Sequence, residues 1–179
     1  MLRKKAINDV MLNSLFKAKS GSSLATEHGN ANENNAKKRY MEVNPNAHFH
    51  KCGLVINNSM AFLGASPDGI VCENGESAIV EVKCPYNARH GTIKEGVQNG
   101  LIPYLDDKLQ LKTDAGYYCQ VQGQLMITGC KCCLFIVYTP MDIHWQRISA
   151  DTDFMATMLL KLATFFHQHA HKYIQDNLT

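Results

Sequence analysis

The chain reads as an α/β protein, a sheet with helices packed against it, and three observations carry that reading. Asn74-Gly75 lies between two apolar runs and marks a β-hairpin, because both residues tolerate the positive φ of a type I′ turn. Segments on either side of the hairpin repeat their apolar residues at helical spacing. Downstream, Leu134-Phe135-Ile136-Val137-Tyr138 and the alternating Ile143-His144-Trp145-Gln146-Arg147-Ile148 supply further strands.

The elements follow in order. Residues 5–18 carry Ile7, Val10, Met11, Leu15 and Phe16 near helical spacing and lead into Ser20-Gly21-Ser22-Ser23, so residues 1–25 read as a helix and a linker. A second helix over 27–43 stops before Asn44-Pro45, since the residue preceding proline disfavours helical geometry. Strands are expected near 53–58, 60–72 and 77–83. Residues 86–112, broken by Gly91, Gly96, Gly100 and Pro103, show no clean period and are expected to be loop or short helices, either a substrate-contacting excursion or a surface insertion. A helix over 114–128 closes at Gly129, the expected left-handed C′ residue. Strands near 132–139 and 142–148 follow, then a helix from Asp151 whose Phe154, Met158, Leu162, Phe165 and His169 form an apolar stripe expected to pack.

Composition bounds the function. At 179 residues and 45% hydrophobic, with no repeat period, residues 1–179 fit one globular domain. No apolar run reaches the roughly 20 residues of a membrane span, and the first residues lack the apolar stretch of a signal peptide, so the expectation is a soluble, intracellular protein. Seven cysteines, an odd number, suit reduced thiols, and those of Cys130-Lys131-Cys132-Cys133 run into a buried strand where Cys behaves as a small hydrophobe. His48, His50 and Cys52 lack a second pair at zinc-ligand spacing. A net charge of +2 neither requires nor excludes a nucleic-acid partner. Lys37-Lys38-Arg39, Lys108, Lys112 and Arg147 are the cations available to hold phosphates, or are ordinary solvated charges.

The hairpin concentrates the chemistry. Pairing Glu73 with Glu76 and stepping outward sets Asp68 opposite Glu81 and Ser66 opposite Lys83. Opposed Cβ atoms lie roughly 4.5–5.5 Å apart, close enough for two carboxylates to share a divalent ion. Side chains alternate along a strand, so Glu81 and Lys83 project to one face while Val80 and Val82 enter the core. Pro67 and Gly69 around Asp68 suggest a distorted strand that aims the carboxylate. Ser66, across from Lys83, is then a candidate donor to a phosphate oxygen.

Pro67-Asp68 followed by Glu81-Val82-Lys83 resembles the signature of the PD-(D/E)xK nuclease superfamily. Two flanking motifs narrow the resemblance to the viral recombinase nucleases of the YqaJ and lambda exonuclease type. Upstream, Gly29-Asn30-Ala31-Asn32-Glu33-Asn34-Asn35-Ala36 is similar to that family's Gly-x-x-x-Glu-x-x-Ala helix. Downstream, Tyr117-Tyr118-Cys119-Gln120-Val121-Gln122 is similar to its Tyr-x-x-Gln-x-Gln helix.

The resemblance implies a restriction-endonuclease-like core, a central mixed sheet flanked by helices, and metal-dependent hydrolysis of DNA. It implies one or two Mg²⁺ ions, with Mn²⁺ as a substitute, held by Asp68, Glu81, the Val82 carbonyl and Glu33. Lys83 and Gln120 complete the catalytic set, and Tyr117, Gln122, Lys112 and Ser66 are candidate DNA contacts. The implied partner is double-stranded DNA with an end, digested 5′-to-3′ by a homotrimer that works with a single-strand annealing protein. The family's N-terminal Arg and Ser motif, which grips the 5′ end, has no match in Lys17, Lys19, Ser20 and Ser22, so either the chain is truncated or end recognition differs. An endonuclease acting within DNA and a DNA-binding module with little catalysis remain open alternatives.

Overall fold

The structure, a computed structural model, describes residues 7–17 and 21–177. Residues 5, 6 and 18 of the expected first helix, and Lys19 and Ser20 before the second, lie outside the described residues. In chain order the elements are α1 (Asp9–Phe16), α2 (Leu24–Val43), β1 (His48–His50), β2 (Val55–Ile56), β3 (Gly64–Ala65), β4 (Gly69–Glu73), β5 (Glu76–Lys83), a 3₁₀ turn (Tyr86–Ala88), α3 (Ile93–Gln98), α4 (Gly116–Thr128), β6 (Cys132–Thr139), β7 (Asp142–Ser149), α5 (Thr152–Phe165), a π-helical turn (Phe166–Ala170) and α6 (His171–Asn177).

Two compact units form. The larger, Ser23–Asp151, is built on a five-stranded sheet of order β1-β4-β5-β6-β7. Only β5 and β6 run parallel; the other three pairs are antiparallel, so the sheet is mixed, as expected. The parallel pair requires a long crossover, and residues 84–131 provide it, carrying α3 and α4. The β4–β5 hairpin has the expected register, Glu73 against Glu76 through Gly69 against Val80, and Asn74 and Gly75 both take positive φ, 51° and 83°.

Alternation along β5 sorts its two faces. Val80 and Val82 join Ala36 and Tyr40 of α2 and Leu134 and Ile136 of β6 in a buried apolar cluster. Glu81 points to the opposite face, toward α4. Ser23 caps α2 by accepting from the Thr26 N–H (3.1 Å), and the helix ends at Asn44 before Pro45. Gly129 at φ 70° ends α4.

Three expectations need correction. The strand expected over 60–72 is interrupted, because the Asn57 side-chain oxygen accepts from the N–H groups of both Ser59 and Met60 (3.0 Å each) and turns the chain. β2 and β3 consequently pair only with each other, and β4 begins at Gly69. The short β1 was unanticipated and pairs with β4, His50 against Ile70. In the unit formed by the chain's ends, α5 has no fully buried side chain and leaves Leu160 and Leu162 exposed. The buried residues described there are Leu12, Ala170 and Tyr173, the last stacked on Phe16 (5.5 Å between centroids) with its hydroxyl donating to Asn13 (2.8 Å).

Candidate active site

The C-terminal end of β5 opens into a cleft of about 650 Å³ whose walls come from α2, the start of β4, the residues after β5 and α4. Glu33, Asp68, Glu81, Val82, Lys83, Tyr117 and Gln120 all line it. Residues separated by 87 positions in sequence are thus collected by the parallel crossover.

Asp68 reaches the cleft by leaving the ladder. Its N–H donates to the Val80 carbonyl (2.9 Å), one step short of the Glu81 partner that strict register assigns, and its Oδ2 accepts from the Val82 N–H (2.7 Å). Gly69 makes this possible, since a Cβ there would stand 2.9 Å from the His50 carbonyl oxygen of β1. The residue is thus held by β5 backbone at both its own N–H and its carboxylate. Burial, then the charge of Glu81, and to a smaller extent that of Glu33, push its pKa up to about 6, against the Val82 N–H and Lys83, which lower it.

Glu81 is 2% exposed and fully engaged. Oε1 accepts from Lys83 and from Gln120 Nε2 (2.8 Å), and Oε2 accepts from Gln124 Nε2 (2.7 Å). Gln120 Oε1 in turn accepts from Lys83 (3.2 Å), closing a triangle of Glu81, Lys83 and Gln120. The Lys83 ammonium also lies 4.3 Å from the Tyr117 ring centroid. Tyr117 therefore seats the lysine. On the other wall, Lys37 pairs with Glu33 and donates to the Asp68 carbonyl (2.6 Å).

The remaining candidates lie elsewhere. Gln122 is fully buried, its Nε2 donating to the Ser149 carbonyl (2.9 Å) and its Oε1 accepting from the Asp151 N–H (2.9 Å), so it braces α4 to the end of β7. Lys112 donates to the Pro103 carbonyl (2.8 Å) and pins the 103–112 loop. Ser66 is exposed and outside the cleft lining, because the ladder stops at Gly69 and its register never extends to Lys83. Arg39 pairs with Glu42 and Arg147 with Glu73, away from the cleft. Sequence reasoning missed Gln124 and Tyr104 in this region, although Gln124 shares the helical face of Tyr117 and Gln120.

The donor set suits a hard divalent ion. Among the described residues no three acidic, imidazole or thiol side chains converge tightly enough to enclose an ion alone. Mg²⁺, however, is commonly bound through one or two carboxylates completed by water and substrate phosphate oxygens. The Asp68 pKa is raised first by burial and then by the neighbouring charges of Glu81 and Glu33, and a cation held between these carboxylates would offset the second cause.

A mixed sheet that delivers two carboxylates and a lysine to the exit of its central strand defines a nuclease of restriction-endonuclease-like fold. The chain belongs to the YqaJ-like viral recombinase domain family, whose model matches residues 2–131. Among solved structures it is similar to LHK-Exo in complex with dAMP, at 26% identity and a TM-score of 0.68 over 88% of this chain and 74% of that one. It is also similar in fold to the alkaline exonuclease LHK-Exo from Laribacter hongkongensis (23% identity, TM-score 0.68, 94% and 81% covered) and to a phage-related exonuclease from Haemophilus somnus 129PT (17%, 0.55, 83% and 72%). No curated protein matches the chain. Family membership makes the protein a recombination-type DNA nuclease, a class that works with a divalent metal ion. No helix among the described residues is long and apolar enough to cross a membrane.

Proposed function

We propose that this protein, acting as one nuclease domain over residues 1–179, is a Mg²⁺-dependent exonuclease that digests double-stranded DNA 5′-to-3′ from an end. The observation that carries the reading is the cleft in which Asp68, fixed by the Val82 N–H, stands beside the buried Glu81–Lys83–Gln120 triangle. A buried carboxylate with three donors, beside a second carboxyl whose ionisation is disfavoured, is a costly arrangement for packing alone.

Asp68, Glu81 and the Val82 carbonyl would hold the first Mg²⁺, or Mn²⁺ in its place, with Glu33 serving a second ion directly or through water. When bound, the metal polarises the scissile phosphate and lowers the pKa of the attacking water. Lys83, released from Glu81 toward the substrate, orients that water and stabilises negative charge developing on the phosphate oxygens. Gln120 keeps the carboxylate and the ammonium in fixed relation, and Tyr117 holds the lysine over the cleft.

LHK-Exo, described as an alkaline exonuclease and also solved in complex with dAMP, supports end-directed cleavage, and dAMP is the kind of mononucleotide such cleavage releases. The resemblance to lambda exonuclease extends the reading to a homotrimer and an annealing partner. The free cysteines, with no disulfide among the described residues, suit an intracellular setting.

The test is cleavage of end-labelled linear duplex with Mg²⁺, alongside a covalently closed circle. Wild type is expected to release mononucleotides from the 5′ end and leave the circle intact, while Lys83→Ala and Asp68→Asn lose about 10²-fold or more in rate. Cutting of the circle would replace the reading with an endonuclease. Wild-type rates in both variants would remove this cleft from the chemistry.

A further inference from the structure

Three glutamines of α4 differ in how their amides are used. Gln122 has both amide atoms paired to backbone, the pattern of a structural brace. Gln120 donates to Glu81 and accepts from Lys83. Gln124 donates to Glu81 Oε2 at 2.7 Å, yet its own Oε1 is buried without a hydrogen-bond partner among the described residues. The residue is 5% exposed. An orphaned carbonyl disfavours the fold, and the orientation cannot be relieved by flipping, because that would set Oε1 against a carboxylate oxygen. Gln124 therefore has its amide direction dictated by Glu81 and bears the unsatisfied atom that results.

The consequence falls on Glu81. With Oε2 tied back into the sheet-facing side of α4, the carboxylate is held in one rotamer. Its Oε1 is the oxygen engaged by the groups that line the cleft, Lys83 and Gln120. We infer that Gln124 is a positioning residue that clamps Glu81 through Oε2 and so commits Oε1 to the divalent ion.

This rests on the metal-dependent reading of the cleft. It adds a residue outside the four motifs, which stop at Gln122 on this helix. Partners that orient a metal ligand in this way typically change metal affinity or activity by about 10–100-fold when removed.

The experiment is a double-mutant cycle on Mn²⁺ affinity, measured by calorimetry on wild type, Gln124→Leu, Glu81→Gln and the double variant, with Tm recorded for each. Gln124→Met, unbranched and of similar volume, replaces the leucine variant if the latter does not fold. The expected result is a Kd for Mn²⁺ raised about tenfold or more by loss of the Gln124 amide, with less than a twofold further change when Glu81 is already Gln. Unchanged Mn²⁺ affinity in the Gln124 variants, or an equal loss in both backgrounds, overturns the clamp. If wild type binds Mn²⁺ and cleaves DNA while the Gln124 variants match it, only this inference falls. If wild type does neither, the nuclease reading falls and takes the clamp with it.

Discussion

Asp68 sets function against stability within one carboxyl group. Its folded pKa, pushed up to about 6, lies above the ordinary value near 3.8. The folded protein therefore holds this proton more tightly than the unfolded chain, and the contribution is fully favourable below about pH 4. It is lost as pH rises through about 6, so at pH 7.5 the metal-free protein carries an ionised group that its surroundings oppose. Asp68→Asn removes the charge while keeping an oxygen that can accept from the Val82 N–H. After discounting for partial solvent screening the gain is on the order of 1 kcal/mol, a few degrees in Tm. Thermal melts without metal are expected to show the variant more stable than wild type at pH 7.5 and no such gain at pH 4. A variant less stable at both pH values would mean the carboxylate is structurally required. Gly29 offers a second trade within the cleft. It sits inside α2 with nothing within 4 Å of where a Cβ would stand, and Gly in a helix interior costs about 1 kcal/mol relative to Ala. Gly29→Ala is expected to raise Tm and, by adding a methyl to the cleft wall, to raise KM for DNA. A raised Tm with unchanged kinetics would show that the added methyl does not obstruct substrate.

Among the elements, the β4–β5 hairpin was legible because its turn chemistry is local: Asn74 and Gly75 announce the positive φ values, and the register follows by counting. The end of the ladder was not legible by the same count. Whether Asp68 continues the pairing depends on β1, a three-residue strand too short for any periodic signal, whose His50 carbonyl crowds Gly69. Gly69→Ala should accordingly displace β1 or Asp68, costing about 1–3 kcal/mol in stability and lowering kcat through a misplaced carboxyl. Denaturation paired with single-turnover rates checks both, and a stable, active Gly69→Ala would mean the close approach to β1 is slack. The tail shows another limit of pattern reading. The spacing of Phe154, Met158, Leu162 and Phe165 is helical and the helix forms, but periodicity does not say whether a partner surface exists, and α5 buries none of them fully. The glutamine helix divides the same way: spacing grouped Tyr117, Gln120 and Gln124, whereas only tertiary placement separates bracing Gln122 from Gln124 on Glu81.

At the scale of the whole molecule, charge placement decides how the protein meets DNA. The cations that sequence nominated for phosphates are largely committed: Lys37 to Glu33 and the Asp68 carbonyl, Arg39 to Glu42, Arg147 to Glu73, Lys112 to Pro103. Lys83 itself is paired with Glu81. Sequence could list these residues but not their partners, because Glu73 and Arg147 are 74 positions apart and meet only through the fold. Among the described residues on that list only Lys38 and Lys108 are left, so the nominated set can displace few counterions from a duplex. Each phosphate neutralised contributes about −0.9 to the slope of log K against log salt. A slope near −2 is therefore expected, far shallower than that of a dedicated DNA binder. Lys83→Ala protein with Mg²⁺, bound to fluorescent linear duplex and titrated from 50 to 200 mM KCl, gives the measurement. The same protein in chelator should bind more weakly still, because phosphate attraction then lacks the metal's charge. A slope steeper than about −5, persisting in chelator, would show that DNA is held by cations outside the nominated set.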